Sequence, residues 1–335
     1  MLQERWCQLP VREVQTTENT EDTEKGTGQF SNMKINMKGC TSMCQFPPHD
    51  LVGRIRYLST PLEPCPTDVA PQLDPLPGIR TVLFDVYGTL VISASGDIGL
   101  AGERDTTSAF TAALDAAGIR APATAGPARL EQVIRASHTQ RQAAGTKFPE
   151  VDILAVWAEV LGGEVPASRD KLARLAVEYE CRVNPVWPMP GLARLLADLR
   201  RRPLVLGIVS NAQFYTPLML EGFLGAPLAD LGFDAECCAW SYRLLEAKPS
   251  TCIYQVALAG LDRVHGIAPS EVLYVGNDLR NDIWPASLTG CRTALFAGDA
   301  RSLRLREDDP RCASVVPDRV VTALSQITDT ILPAD

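Results

Sequence analysis

Five short apolar runs, each of strand length and each set apart from the next by helix-period sequence, constrain this 335-residue chain more than any other feature. They occupy residues 81–84, 204–209, 233–237, 272–275 and 293–296, the third being the weakest. Four of them are almost wholly apolar, not apolar only at alternate positions, and suit strands buried on both faces of a parallel sheet; the third carries Asp234 and Glu236. Between them Leu192, Leu195, Leu196 and Leu199 share one helix face, and Ile253, Val256, Ala257 and Leu261 share another. Strand and helix in alternation predict an α/β fold with a Rossmann-like, doubly wound parallel sheet. Hydrophobic residues make up 46% of the chain, enough to fill such a core.

The interval between the first two runs is far longer than the dozen or so residues a crossover requires. It reads as helix. Phe110, Ala113, Leu114 and Ala117 form one stripe; Leu130, Val133, Ile134 and Ser137 form a second. Ile153, Val156, Trp157, Val160 and Leu161 form a third; Leu172, Leu175, Ala176 and Tyr179 form a fourth. An all-helical cap subdomain is therefore expected at 93–184, inserted into a core of 79–92 and 185–333, with Trp157 and Trp187 as packing residues. Residues 1–78 differ in texture. Positions 16–28 are polar without a period, and eight prolines fall between Pro47 and Pro77. Such a segment buries too little apolar surface to offset its ordering entropy, and a disordered or loosely docked extension is expected.

A net charge of −8 argues against a nucleic-acid partner, which demands a basic face. No run approaches the roughly 20 apolar residues of a bilayer span, so no membrane partner is expected. Of ten cysteines only Cys40 and Cys44 stand at a metal-like spacing, and they lack the second pair of a zinc site. Reduced thiols in a cytoplasmic protein are the plain expectation. Nothing in the sequence marks an oligomeric state.

Ligands of open parallel sheets sit beyond the carboxyl ends of the strands. Four such ends here carry polar residues: Asp85-Val-Tyr-Gly-Thr-Leu90, Ser210-Asn211, Lys248-Pro249 and Gly276-Asn-Asp-Leu-Arg-Asn-Asp282. A carboxylate, a hydroxyl, a lysine and an acidic pair brought to one crevice suit a phosphate and divalent-cation site. One carboxylate attacks while the cation and the lysine neutralise the anion. Each residue also has a plain structural role open to it. Ser210 serves as a strand-end hydroxyl, Asp282 complements a helix dipole, and Asn277 and Asn281 order their loop.

In the order and spacing of these motifs the chain resembles the haloacid dehalogenase-like hydrolase superfamily over about residues 79–333, in the subgroup with a helical cap after the first motif. The signatures D-x-D/Y-G-T-L, S/T-N, K-P-x-x-x-I-F/Y and G-D-x-x-x-D are met, with departures, at 85–90, 210–211, 248–254 and 276–282. The resemblance implies a covalent intermediate on Asp85. Tyr87, Ser210 and Lys248 are its implied catalytic companions, and Thr89 and Asn211 contact substrate. Asp85, Asp278 and Asp282 are the implied ligands of Mg²⁺.

Two departures bear on the chemistry. Tyr87 stands where the phosphatase branch of the family carries a second aspartate that protonates the leaving oxygen; a tyrosine there resembles the branch that cleaves carbon–halogen bonds. Asn277 stands where the first aspartate of the last motif falls, with Asp278 one position later. Close carboxylates in a dry site repel unless a cation offsets them. Asp278 with Asp282 beside Asp85 therefore argues for Mg²⁺ and for a phosphatase of a small phosphorylated metabolite. Asp97, Glu103, Asp105 and His138 are candidates for the missing acid. A metal-independent 2-haloacid dehalogenase acting on a small halogenated metabolite is the alternative, and a catalytically weak relative that binds a ligand or partner in its cleft is a third.

Overall fold

A computed structural model describes residues 48–94, 106–162 and 167–331. Cys40, Cys44, Asp97, Glu103, Asp105 and the first 47 residues of the expected extension lie outside the described residues.

The chain enters through helix α1 (Pro48–Leu58), which buries Leu51 and Ile55. These two positions are one helical turn apart, so they share a face. The following strap is tied down by backbone. Gln72 N–H donates to Val320 O at 2.8 Å and accepts from its N–H at 3.2 Å, and Leu76 N–H donates to Thr330 O at 2.7 Å. Residues 48–78 thus differ from the expected loose extension. The Leu51/Ile55 stripe is short enough to be hidden among prolines, and the strap borrows its hydrogen-bond partners from distant parts of the chain.

Strand β1 (Thr81–Phe84) is buried at every position. It runs into a tight turn and then β2 (Val91–Ser93). Four helices follow: α2 (Thr106–Ala117), α3 (Pro127–Ala143), α4 (Ile153–Val160) and α5 (Arg169–Val183). The chain returns through β3 (Val186–Pro188), which pairs antiparallel with β2 in the register Val91 to Pro188 and Ser93 to Val186. The helical insertion thus begins and ends at one two-stranded ribbon. Asp152 caps α4 by accepting from Leu154 N–H at 2.9 Å. Inside the insertion, Phe110 stacks on Trp157 with centroids 5.8 Å apart, and Tyr179 meets Trp157 edge-on at 5.2 Å. Trp157 is 1% exposed, a packing residue as its stripe predicts.

Beyond the ribbon come α6 (Leu192–Leu199), β4 (Val205–Ser210), α7 (Tyr215–Leu224), β5 (Phe233–Trp240), α8 (Ser241–Leu244) and α9 (Cys252–His265). The chain then forms β6 (Val272–Gly276), a π-helical turn (Leu279–Ile283), α10 (Trp284–Leu288), β7 (Arg292–Phe296), β8 (Arg319–Val321) and α11 (Ser325–Thr330). The six strands of the main sheet lie in the order β5-β4-β1-β6-β7-β8, and every pairing is parallel. This is the predicted doubly wound sheet. Strand order reverses beside β1, which makes the carboxyl end of β1 the switch point where a crevice opens. All four leucines of the α6 stripe are buried. The α9 stripe is rotated from its expected position: Val256 is exposed, and Tyr254 and Leu258 complete the face instead.

Glu178 of α5 is fully buried and takes three guanidinium groups. Arg54 of α1 donates at 2.7 and 2.9 Å, Arg174 at 2.7 Å and Arg182 at 2.6 Å. Burial alone would raise its pKa, but the three guanidiniums outweigh burial and hold it below the ordinary 4.5. A carboxylate depressed in the folded state supplies stability above the unfolded value, which is lost as pH falls through the folded one. Glu178→Gln is expected to cost about 3–5 kcal/mol at neutral pH, the usual penalty for breaking a buried pair. In urea titrations the gap from wild type should narrow as pH falls below the ordinary 4.5 and through the lowered folded value. A gap that persists in acid would remove the ionic origin.

Candidate active site

Asp85 follows β1 directly, and its N–H donates to Val275 O of β6 at 2.9 Å, so its side chain is carried into the crevice at the switch point. The next turn closes on itself, with Leu90 N–H donating to Val86 O at 2.9 Å and Gly88 N–H to Val91 O at 2.7 Å. Gly88 has φ +83°, and a Cβ there would lie 2.6 Å from Asn277 Nδ2. Only glycine meets both conditions, which explains its place in the motif.

Lys248 reaches this point from the loop after β5 and α8. Its buried ammonium donates to Asp85 Oδ1 at 2.7 Å and to Asp282 Oδ1 at 2.6 Å. Burial works against its charge, but Asp282 and Asp85 outweigh burial and keep it protonated. Ser210, the last residue of β4, donates its hydroxyl to Asp85 Oδ1 at 2.9 Å. Oδ1 is thereby held by two donors; Oδ2 takes no hydrogen bond among the described residues. Asn211 accepts from Lys248 N–H at 2.7 Å through Oδ1 and fixes the lysine's loop.

Asp282 is held from the other side. Its Oδ2 accepts from the N–H groups of Asn277 at 3.0 Å and Asp278 at 2.9 Å, and the Tyr274 hydroxyl stands 3.0 Å from Oδ1. Burial pushes its carboxyl up to about 7; Lys248 pulls the other way, while Asp85 and Asp278 add to the rise. Gly276 permits this loop, since a Cβ there would lie 2.4 Å from Asp282 Cγ.

Asp278 is more crowded still. Oδ1 accepts from the N–H groups of Arg280 and Asn281 at 2.9 and 3.2 Å, and Oδ2 from Asn281 Nδ2 at 3.0 Å. Arg306 then closes on both oxygens, with Nε at 3.1 and 3.2 Å and Nη2 at 2.5 Å from Oδ2. A carboxylate offers about four lone-pair sites, and five donor groups occupy them here. Arg306 arrives on a segment paired to the same loop: Leu279 N–H donates to Arg304 O and Arg304 N–H to Asn277 O. Arg306 itself has φ +53°, a conformation that side chains other than glycine seldom adopt.

The resemblance implies Mg²⁺ on Asp85, Asp278 and Asp282. These residues, as placed, do not fit it. Mg²⁺ demands near-octahedral oxygen ligands at ~2.0–2.1 Å. Asp278 has no lone pair to give, and Asp282 is filled by Lys248, two backbone N–H groups and Tyr274. Asn277, at the usual first-aspartate position, turns Oδ1 to the Thr89 hydroxyl at 3.2 Å and Nδ2 to Ser302 O at 2.6 Å. Beside Asp85, the cation on Asp278 is the Arg306 guanidinium and the cation on Asp282 is the Lys248 ammonium.

Asp85, Tyr87, Ser93, Asn211, Lys248, Asn277, Asp278, Asn281, Asp282 and Arg304 line one pocket. Of the expected site residues, Asp85, Tyr87, Asn211, Lys248, Asp278 and Asp282 share its wall, and Ser210 is hydrogen-bonded to Asp85 behind it. Thr89 is different: fully buried, it holds Asn277 and does not face substrate. The Tyr87 hydroxyl is 2.9 Å from Thr216 Oγ1 and 3.6 Å from Met219 Sδ. Burial, and then Glu180, raise its pKa far above the ordinary 10.0. His138 has its pKa lowered by burial and by Arg141, which keeps it neutral. Sequence reasoning missed Arg304, Arg306 and Tyr274. The run Arg301, Arg304, Arg306 follows β7, the neighbour of β6, and its place just past a strand end was the available signal.

A family model described as haloacid dehalogenase-like hydrolase matches residues 79–288. The chain belongs to that family of hydrolases. Among solved structures, a 2-haloacid dehalogenase from Pseudomonas syringae pv. Tomato DC3000 is 20% identical, with TM-score 0.47, covering 75% of this chain and 97% of its own. An HAD phosphatase from Thermococcus onnurineus is 18% identical with TM-score 0.45, over 74% and 96%. An L-2-haloacid dehalogenase from Xanthobacter autotrophicus is 25% identical with TM-score 0.41, over 74% and 96%. No curated protein matches the chain significantly.

Asp85→Asn keeps the shape of the side chain and removes its nucleophilicity. Turnover of any substrate processed through Asp85 should fall by several orders of magnitude with an unchanged circular dichroism spectrum. Retention of even a tenth of the activity would exclude an ester at this residue.

Proposed function

We propose that the chain is a metal-independent hydrolase that displaces an anionic leaving group from carbon, with a small 2-haloacid as substrate class. The observation that carries this reading is the filling of Asp278 and Asp282 by Arg306, Lys248 and backbone N–H groups. Lys248 pairs with Asp85 and Asp282, and Arg306 pairs with Asp278, so each of the three carboxylates has a cationic partner without a divalent ion. Arg304, on the pocket wall, has its Nη1 held by Arg301 O and Leu303 O at 2.7 and 3.0 Å.

In the proposed reaction Asp85 Oδ2 attacks the carbon bearing halogen, the C–O bond forms, and halide departs with the electron pair of the C–X bond. Lys248 and Ser210 hold Oδ1, which orients the carboxylate. Water then adds to the Asp85 ester carbonyl and releases a 2-hydroxyacid. Asp85 is regenerated as the carboxylate, and one proton passes to solvent. Halide needs no proton to leave, which agrees with a Tyr87 hydroxyl turned towards Thr216.

The magnesium-dependent phosphatase reading has one observation in its favour: Asp85, Asp278 and Asp282 line the same pocket. It requires Arg306 to leave Asp278.

Halide release from 2-chloropropionate that is unchanged by EDTA is the expected result, measured beside phosphate release from a panel of phosphate esters with and without Mg²⁺. Mg²⁺-dependent phosphate release would overturn the proposal in favour of the phosphatase; ligand binding without turnover of either class would leave a binding protein. Tyr87→Phe should keep kcat within a factor of ~10, since loss of a working general acid costs ~10²–10⁴-fold. A loss in that larger range would return Tyr87 to the chemistry.

A further inference from the structure

Among the described residues, one trio of metal-ligating side chains lies apart from the Asp85 pocket. The donor atoms of Asp234, Cys237 and His265 all fall within 4.8 Å of one another. The backbone that brings them together is irregular. β5 is the edge strand of the sheet, and its pairing with β4 jumps from Leu206–Phe233 to Ile208–Cys238. Residues 234–237 therefore stand opposite Gly207 alone, as a bulge. Glycines on both sides clamp it: a Cβ on Gly207 would lie 2.3 Å from Cys237 O, and one on Gly260 of α9 would lie 2.0 Å from Glu236 O. So constrained, the bulge presents Asp234 and Cys237 to the last turn of α9, where His265 stands. Bulges recur where a strand must re-aim side chains, and they are built features.

We propose that this bulge is a zinc site, with Asp234 Oδ2, Cys237 Sγ and His265 Nε2 as three ligands and water as the fourth. Thiolate, imidazole and carboxylate together match the ligand preferences of Zn²⁺. Cys237 forms the buried floor, and Asp234 and His265, each 28% exposed, form a mouth open to solvent. Zn–ligand bonds of ~2.0–2.3 Å place tetrahedral donors about 3.4–3.7 Å apart. His265 Nε2 and Asp234 Oδ2 now share a hydrogen bond at 2.7 Å, so they open by under about 1 Å and the wider pairs close by about as much. Both side chains sit at the surface and have room for this. On binding, the Cys237 thiol gives its proton to solvent, and the neutral imidazole carries its proton on Nδ1, so that the Nε2 lone pair faces the metal. Asp234 Oδ1 stays on Glu236 N–H at 2.9 Å, which fixes the carboxylate's orientation. Arg263, the nearest cation, is engaged by Glu236. The trio is at the amino-terminal end of β5, whereas the Asp85 pocket opens beyond the carboxyl ends of the strands. The metal's task is to fasten the edge-strand bulge to α9.

The full chain, stripped with chelator and dialysed, is titrated with Co²⁺ and separately loaded with Zn²⁺ and passed over a desalting column. Expected are a thiolate-to-cobalt charge-transfer band and one zinc retained per chain, with a raised unfolding temperature, both in wild type and in Asp85→Asn. Cys237→Ser should lose the band, and His265→Gln should weaken zinc binding by at least ~100-fold. His265→Gln changes a partly exposed side chain and keeps the proposal testable where Cys237→Ser fails to fold. Absence of the band in wild type, or zinc retention equal in wild type and His265→Gln, overturns the site.

Discussion

One ammonium group holds the centre of this molecule together. Lys248 Nζ sits between Asp85 and Asp282, at 2.7 and 2.6 Å, where all three side chains are buried. Each charge would be prohibitive there alone: an unpaired buried ion costs several kcal/mol after relaxation. Together they join the strand ends β1 and β6 to the loop after α8, across 163 residues on the Asp85 side and 34 on the Asp282 side. Asn211 fixes the lysine's backbone, Ser210 shares the load on Asp85, and two N–H groups of the last motif carry Asp282. The same contact that stabilises the junction of the sheet also leaves Asp85 with one oxygen engaged and the other facing the pocket.

The parallel sheet was legible because β1, β4, β6 and β7 are largely buried and apolar, and they fall where the runs lie. The helical insertion was legible from four stripes. Strands β2, β3 and β8 were not, being three residues each, too short for a periodic signal. Helix α1 was obscured because two core positions, Leu51 and Ile55, are a weak signal in a proline-rich context. Val256 was misassigned because a stripe read at spacing three and four does not distinguish neighbouring faces that include a tyrosine.

At the site, chain order revealed Asp85, Ser210, Lys248 and Asp282, since each directly follows or closely trails a strand. What it obscured was the charge balance. Asp278 reads as a spare carboxylate until Arg306 is brought back from 28 residues away, and no local pattern connects the two. Electrostatics in this pocket are a property of the loops after β6 and β7 taken as a pair. Thr89 was placed against substrate for a related reason: a hydroxyl in a motif does not announce which way its rotamer points, and Thr89 turns to Asn277 as the Tyr87 hydroxyl turns to Thr216.

The position of α1 bears on how the molecule can move. It packs on α7, which follows β4 of the main sheet, and on α5, the last helix of the insertion, and its Arg54 is one of the three groups that neutralise Glu178. Were the ribbon of β2 and β3 the sole tether between insertion and sheet, it would serve as a free hinge. With α1 laid across both, any swing of α5 relative to α7 either drags the amino-terminal helix along or pulls a guanidinium off a buried carboxylate. The segment that composition marks as a loose extension thus ties the insertion to the sheet at a second place, beyond the ribbon.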